Sequence, residues 1–193
     1  SDLLGDRFQD LSNRIPVAAT ELANLGQTAG QLGVQVRNIE AFVETTAKLG
    51  TAVDGLTADE AATQLARFVN VAGTSQDQFE NLASSLVQLG NNIAANEGEI
   101  LNFAKNLVAA GSQIGLTEAE ILGLSGSMVA LGANAEAAST ALQRAFIGMQ
   151  DAVRSGGEEL EAFAAISGLS GEEFARVFEQ DASEAINAFF RGI

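Results

Sequence analysis

The chain contains no cysteine, histidine, tryptophan or tyrosine, and a single proline, Pro16, in 193 residues. Without cysteine there is no disulfide and no thiolate metal site, and redox compartment cannot be read from thiol usage. Without histidine no serine has an imidazole base, and no imidazole ligand exists. Lysine and arginine number 10 against 25 aspartates and glutamates, a formal net charge of −15. Such a surface repels phosphate backbones and anionic headgroups, and no basic cluster offers specific nucleic-acid binding. It favours solubility or a basic partner. No apolar run reaches the ~18 residues of a membrane helix. The longest uncharged stretch, 81–96, is broken by Gly90, Asn91 and Asn92. The opening Ser1-Asp2-Leu3-Leu4 lacks both a signal peptide's basic segment and an initiator methionine, so the sequence reads as an excerpt of a longer chain.

What the chain does have is apolar residues at 47%, many of them alanine, and 20 glycines. Alanine is the strongest helix former, and small side chains let helices approach closely. One seventeen-residue phrase occurs three times without gaps, at Val34–Gly50, Thr74–Gly90 and Leu116–Gly132. Its second residue is Gln35, Ser75 or Thr117, and three later stands Asn38, Gln78 or Glu120. Large apolar residues follow at Ile39, Phe79 and Ile121, then at Phe42, Leu82 and Leu124, and the phrase closes on Leu49, Leu89 or Leu131 before glycine.

Helix starts are written as short polar residues followed by Glu or Gln at the third position beyond, so that each side chain satisfies a free backbone N–H of the other. Thr57/Glu60, Ser75/Gln78, Asn96/Glu99, Thr117/Glu120, Ser170/Glu173 and Asp181/Glu184 fit this spacing. Gly50, Gly73, Gly90, Gly111 and Gly132 read as stops just past helix ends. Together these signals predict helices near 16–31, 36–49, 58–72, 76–89, 97–110, 118–131, 136–152, 158–166, 171–180 and 182–191, with Pro16 in the first turn of the opening helix.

The segments between phrases repeat too, Leu65–Gly73 matching Phe103–Gly111 at an offset of 38. The unit is therefore a helical hairpin of about forty residues, a period shared with HEAT and armadillo-type solenoids. The fold expected is all-α: stacked antiparallel hairpins over 1–152, and a smaller unit of three short helices over 153–193. The second unit follows the polar turn Arg154–Glu159 and carries Phe163, Phe174, Phe178, Phe189 and Phe190.

Candidate chemistry is thin. Glu158, Glu159 and Glu161 form the densest carboxylate group, but a first helical turn accounts for them through the helix dipole. Thr117-Glu118-Ala119-Glu120 is too short of ligands for calcium and reads as a cap. Gly30-Gln31-Leu32-Gly33 lacks the strand-then-helix context of a phosphate loop. No catalytic, cofactor or metal residues are assigned, and the chain is not expected to be an enzyme. Phe174, Phe178, Phe189 and Phe190 are candidates for a partner surface. Core packing is the competing account, since apolar stripes on helices mostly face cores.

The segments Ile15–Leu22, Ala29–Val34, Ala47–Gly50, Leu56–Ala62, Leu89–Asn92, Ile114–Leu122 and Gly168–Phe174 closely resemble the core region of phage tail tape measure proteins. Their order and spacing carry the likeness from roughly residue 11 to residue 193. The resemblance implies a virion protein lying in the tail tube lumen or at its tip, and in the host cytoplasm during assembly. It implies tail length determination, ejection ahead of DNA and a part in genome passage through the host envelope. The implied partners are further copies of the chain, tail tube and tail tip proteins and tail assembly chaperones, with membrane contact only after ejection. The family assigns no catalytic residues to this region.

A measuring rod is expected to be a long continuous helix rising ~1.5 Å per residue. This chain breaks every twenty residues or so with glycine and a fresh cap. It reads as a compact module carried by a ruler protein. A helical-repeat scaffold without a viral role is the alternative.

Overall fold

Local capping sets most of the helix starts. Thr57, Thr117 and Ser170 each accept from the backbone N–H of the residue three beyond, while Glu60, Glu120 and Glu173 accept from the cap backbone in return. Asn96 and Asp181 make the first half of this exchange, accepting from Glu99 and Glu184. The computed structural model describes residues 2–193, with side chains from Leu4 onward. Among them are eleven α-helices and no strand: α1 (Asp2–Ser12), α2 (Ala19–Gln31), α3 (Ile39–Ala52), α4 (Ala58–Ala72), α5 (Phe79–Asn92), α6 (Glu97–Gln113), α7 (Glu118–Ala130), α8 (Ala135–Ser155), α9 (Glu158–Ser167), α10 (Gly171–Gln180) and α11 (Ala182–Gly192).

The helices form two rows. α2, α4, α6 and α8 pack side by side in one row, and α3, α5 and α7 in the other, so the three phrases supply the second row. α6 touches α4 and α8 in its own row and α5 and α7 across it. The phrase positions Ile39, Phe79 and Ile121 and their partners Phe42 and Leu82 are all buried between the rows. Within the second row, where the first phrase meets the second, Phe42 of α3 meets Phe79 of α5 edge to face, with centroids 4.6 Å apart. The last three helices pack on one another and on α8, and one continuous buried cluster runs from Phe8 to Ile186.

Several local expectations are corrected. α1 lies outside the helices expected from the sequence; Phe8 and Leu11 bury it against the stack. Pro16 lies in the bend before α2, which begins at Ala19, so it is not in a helical turn. Ser75 and Gln78 form no box: a 3₁₀ turn, Gln76–Gln78, intervenes, as Val36–Asn38 does before α3. Of the five glycine stops, Gly73 and Gly132 take positive φ at helix ends. Gly50, Gly90 and Gly111 lie inside helices, at crossings. A Cβ on Gly50 would stand 2.5 Å from the backbone N of Ala58, one on Gly111 2.9 Å from Ile121, and one on Gly90 would strike Glu97. The chain leaves α3 and α5 instead through extended Val53 and Ile93. Burial also sets the α4–α6 repeat at an offset of 39, not 38: Ala61, Ala62, Leu65, Phe68 and Val69 map onto Ile100, Leu101, Ala104, Leu107 and Val108, all buried.

Amide side chains tie each repeat to the one before. Gln76 accepts from Gln35 N at 2.8 Å and donates to Gly33 O at 3.0 Å. Asn70 donates to Leu32 O and Asn96 to Asp54 O, each at 3.0 Å. Glu118 accepts from Thr74 Oγ1. Gln76 and Glu118 share the third position of the phrase; the first phrase has Val36 there, 73% exposed. Replacing Gln76 with Ala should lower stability to urea by about 1 kcal/mol, the usual worth of such bonds, without reducing helix content. No change in midpoint would mean that these bonds do not couple the repeats.

Candidate interaction surface

The carboxylates singled out by the sequence serve helix ends. Glu158, Glu159 and Glu161 are exposed on the first turn of α9, and Glu120 is committed to Thr117. Gly30 lies within α2, and Gly33 follows it in the left-handed region. No group of three or more carboxylates that could hold a metal ion occurs among the described residues. No described helix is long and apolar enough to cross a membrane.

Three carboxyls are held below their ordinary range by neighbours within three residues, two of them by capping boxes. The Thr57 backbone N–H and then its hydroxyl hold Glu60 down, and Ser170 does the same for Glu173. Asp77 is lowered first by the Ser75 hydroxyl, inside the 3₁₀ turn before α5. A carboxyl depressed in the folded state stabilises the fold above its unfolded pKa and loses that contribution as pH falls through the folded one. Acidification also relieves the self-repulsion of a strongly anionic chain. The comparison must therefore be made between proteins of equal charge. Thr57→Ala/Ser170→Ala should melt below the parent at pH 7, with the gap narrowing below about pH 4 as the cap carboxyls protonate. A gap constant with pH would contradict the cap assignment.

Phe174 and Phe178 share one face of α10, as their four-residue spacing requires, and both are buried. Their rings stack at 6.2 Å, and Phe163 stacks on Phe174 at 6.3 Å. These two belong to the continuous core, where the last three helices meet, and not to the surface. Phe189 and Phe190 are half-buried, Phe189 lying 5.6 Å from Phe163 and Phe190 crossing Phe189 at 65°. Of the four candidates, only this last pair presents aromatic surface.

Two grooves escaped the sequence reading. One, about 480 Å³, runs between α3 and α5 over Ala41, Thr45, Ala83 and Ser84, with the Glu44–Lys48 ion pair, 2.8 Å long, on its rim. The other, about 380 Å³, separates α7 from α11, with Gly123, Leu124 and Ser127 facing Ser183, Ile186 and Asn187. A signal for both exists in the phrase. Its eighth and twelfth positions hold Ala41, Asn81 and Gly123, then Thr45, Ser85 and Ser127, small or short polar residues in every copy. The arrangement offers helix-lined grooves and an acidic surface, a chemistry of docking.

Residues 5–193 match the family model described as phage-related minor tail protein. No curated protein and no solved structure matches the chain.

Proposed function

Because the chain belongs to the phage-related minor tail protein family, a virion-associated structural family, we propose that it is a segment of a tail tape measure protein. In this reading it folds as a compact module carried by the ruler, with no enzymatic role. The full-length protein would set tail length, occupy the tube lumen or tip, and leave ahead of DNA. Its partners would be further copies of itself, tail tube and tip proteins, and assembly chaperones. Residues 1–152 would act as the hairpin-repeat unit and 153–193 as a companion packed on it.

The observation that carries the module reading is helix length. The longest helix, α8, has 21 residues, a span of about 32 Å at 1.5 Å per residue. A single helix of the whole chain would reach about 290 Å on the same rise. Family membership favours the tail over a scaffold with no viral role. Immunogold labelling of purified virions and isolated tails tests the placement. Label on tails opened at one end supports it, whereas particles free of the chain would remove the reading.

A further inference from the structure

Only at Asp54-Gly55 does glycine follow an aspartate or an asparagine in this chain. The pair sits at the centre of the turn from α3 to α4, which Leu56 N closes by donating to Val53 O at 3.4 Å. Val53 and Leu56 are buried on either side, whereas Asp54 and Gly55 are both exposed. Gly55 takes φ 78, a conformation glycine enters freely. Neither polar group facing solvent is engaged. Among the described residues the Asp54 carboxylate accepts no hydrogen bond, and the Gly55 N–H donates none.

A free aspartyl-glycyl turn has a chemistry of its own. The Gly55 nitrogen, with no Cβ beside it, attacks the protonated side-chain carboxyl carbon of Asp54. A five-membered imide closes and one water leaves. Water then adds back at either carbonyl. Attack at the side-chain carbonyl restores aspartate. Attack at the main-chain carbonyl breaks its bond to nitrogen and leaves isoaspartate, the main chain now running through the former side chain. Nothing is oxidised or reduced, and the water lost is balanced by the water regained.

The main-chain carbonyl of Asp54 is also a contact between repeats. Asn96 Nδ2 donates to it at 3.0 Å, while Asn96 Oδ1 accepts from Gly98 N and Glu99 N at the start of α6. In isoaspartate that carbonyl becomes a free carboxylate outside the main chain. The connection between the buried Val53 and Leu56 also gains a methylene. The corresponding exit from α5 reads Ile93-Ala94-Ala95 and has no such chemistry. We propose that Asp54-Gly55 is a site of spontaneous isoaspartate formation, and that the modification loosens the first repeat from α6. It is independent of the tail role, so its failure would leave that role standing.

The full chain is aged in neutral buffer made with heavy-oxygen water, then digested with trypsin in ordinary water. The peptide 49–67, released by cleavage after Lys48 and Arg67, is mapped by electron-transfer fragmentation. The expected product is isoaspartate at residue 54 carrying one heavy oxygen, with none at Asp59 in the same peptide. Asp54→Glu keeps the charge and the carbonyl but would need a six-membered ring, and should form none. The folded chain should react within about tenfold of a synthetic Thr51–Thr57 peptide, because exposed turns open at little cost. Aged protein should melt below fresh protein, and aged Asp54→Glu should not. Isoaspartate confined to the free peptide, or formed in the folded chain without a lower melting temperature, would overturn the proposal.

Discussion

Phe42→Ala should lower folding stability by about 3–5 kcal/mol, the usual cost of emptying a buried phenylalanine site. The side chain is 0% exposed, and it sits where the first phrase meets the second. Its ring edge contact with Phe79 crosses from α3 to α5, so the loss falls on the junction between repeats as well as on one helix. Phe79→Ala, at 2% exposure, should cost a similar amount. The double variant should then depart from additivity by about 0.5–1.5 kcal/mol, the worth of an aromatic pair beyond its burial. Domains of this kind hold about 5–15 kcal/mol in all, so each single variant removes a large share. Urea unfolding of the four proteins closes the cycle. Additive losses would mean that α3 and α5 are buried independently and that the stack is not cooperative across this junction.

Gly50→Ala should destabilise the protein by about 1–3 kcal/mol, as overpacking at a rigid contact does. The added Cβ would meet backbone, the N and Cα of Ala58 at 2.5 and 2.8 Å, which cannot rotate away as a side chain can. The opposite sign is expected at Gly123, also inside a helix but with nothing within 4 Å of its would-be Cβ. There Ala should stabilise by about 0.5–1 kcal/mol by restricting the unfolded chain. Two glycines in phrase helices thus give opposite results for the same substitution. Thermal melts of both variants test this directly, and equal signs would contradict the crossing assigned to Gly50.

That pair also marks how far the sequence could be read. Caps are local: a threonine and a glutamate three residues apart need only their own backbone, so α4, α7 and α10 start where Thr57, Thr117 and Ser170 place them. The threefold phrase, with one buried face per copy, likewise made the second row legible. Glycine is different, because a missing side chain permits either a left-handed helix end or a close crossing, and only the neighbour decides. Gly73 ends α4, while Gly50 admits α4 against α3. α1 was invisible for the same reason, its place being set by burial of Phe8 and Leu11. The site was legible only in part. The spacing of Phe174 and Phe178 gave a shared face, but which face of α10 is covered depends on Phe163 from another helix. Gln76 gave no signal at all, because its partners lie a full repeat away.

The central claim, that this segment folds up within a tail protein and does not measure, predicts a tail length. Removing residues 57–95 from the phage gene deletes one repeat and sets Asn96 in the capping position of Thr57, with α6 in place of α4 between α3 and α7. Were the segment part of an extended helical ruler, tails should shorten by about 60 Å, from ~1.5 Å per residue. Electron microscopy of tails from the deletion phage measures this directly. The account predicts tails of unchanged length; tails shortened in proportion to the deletion would contradict it.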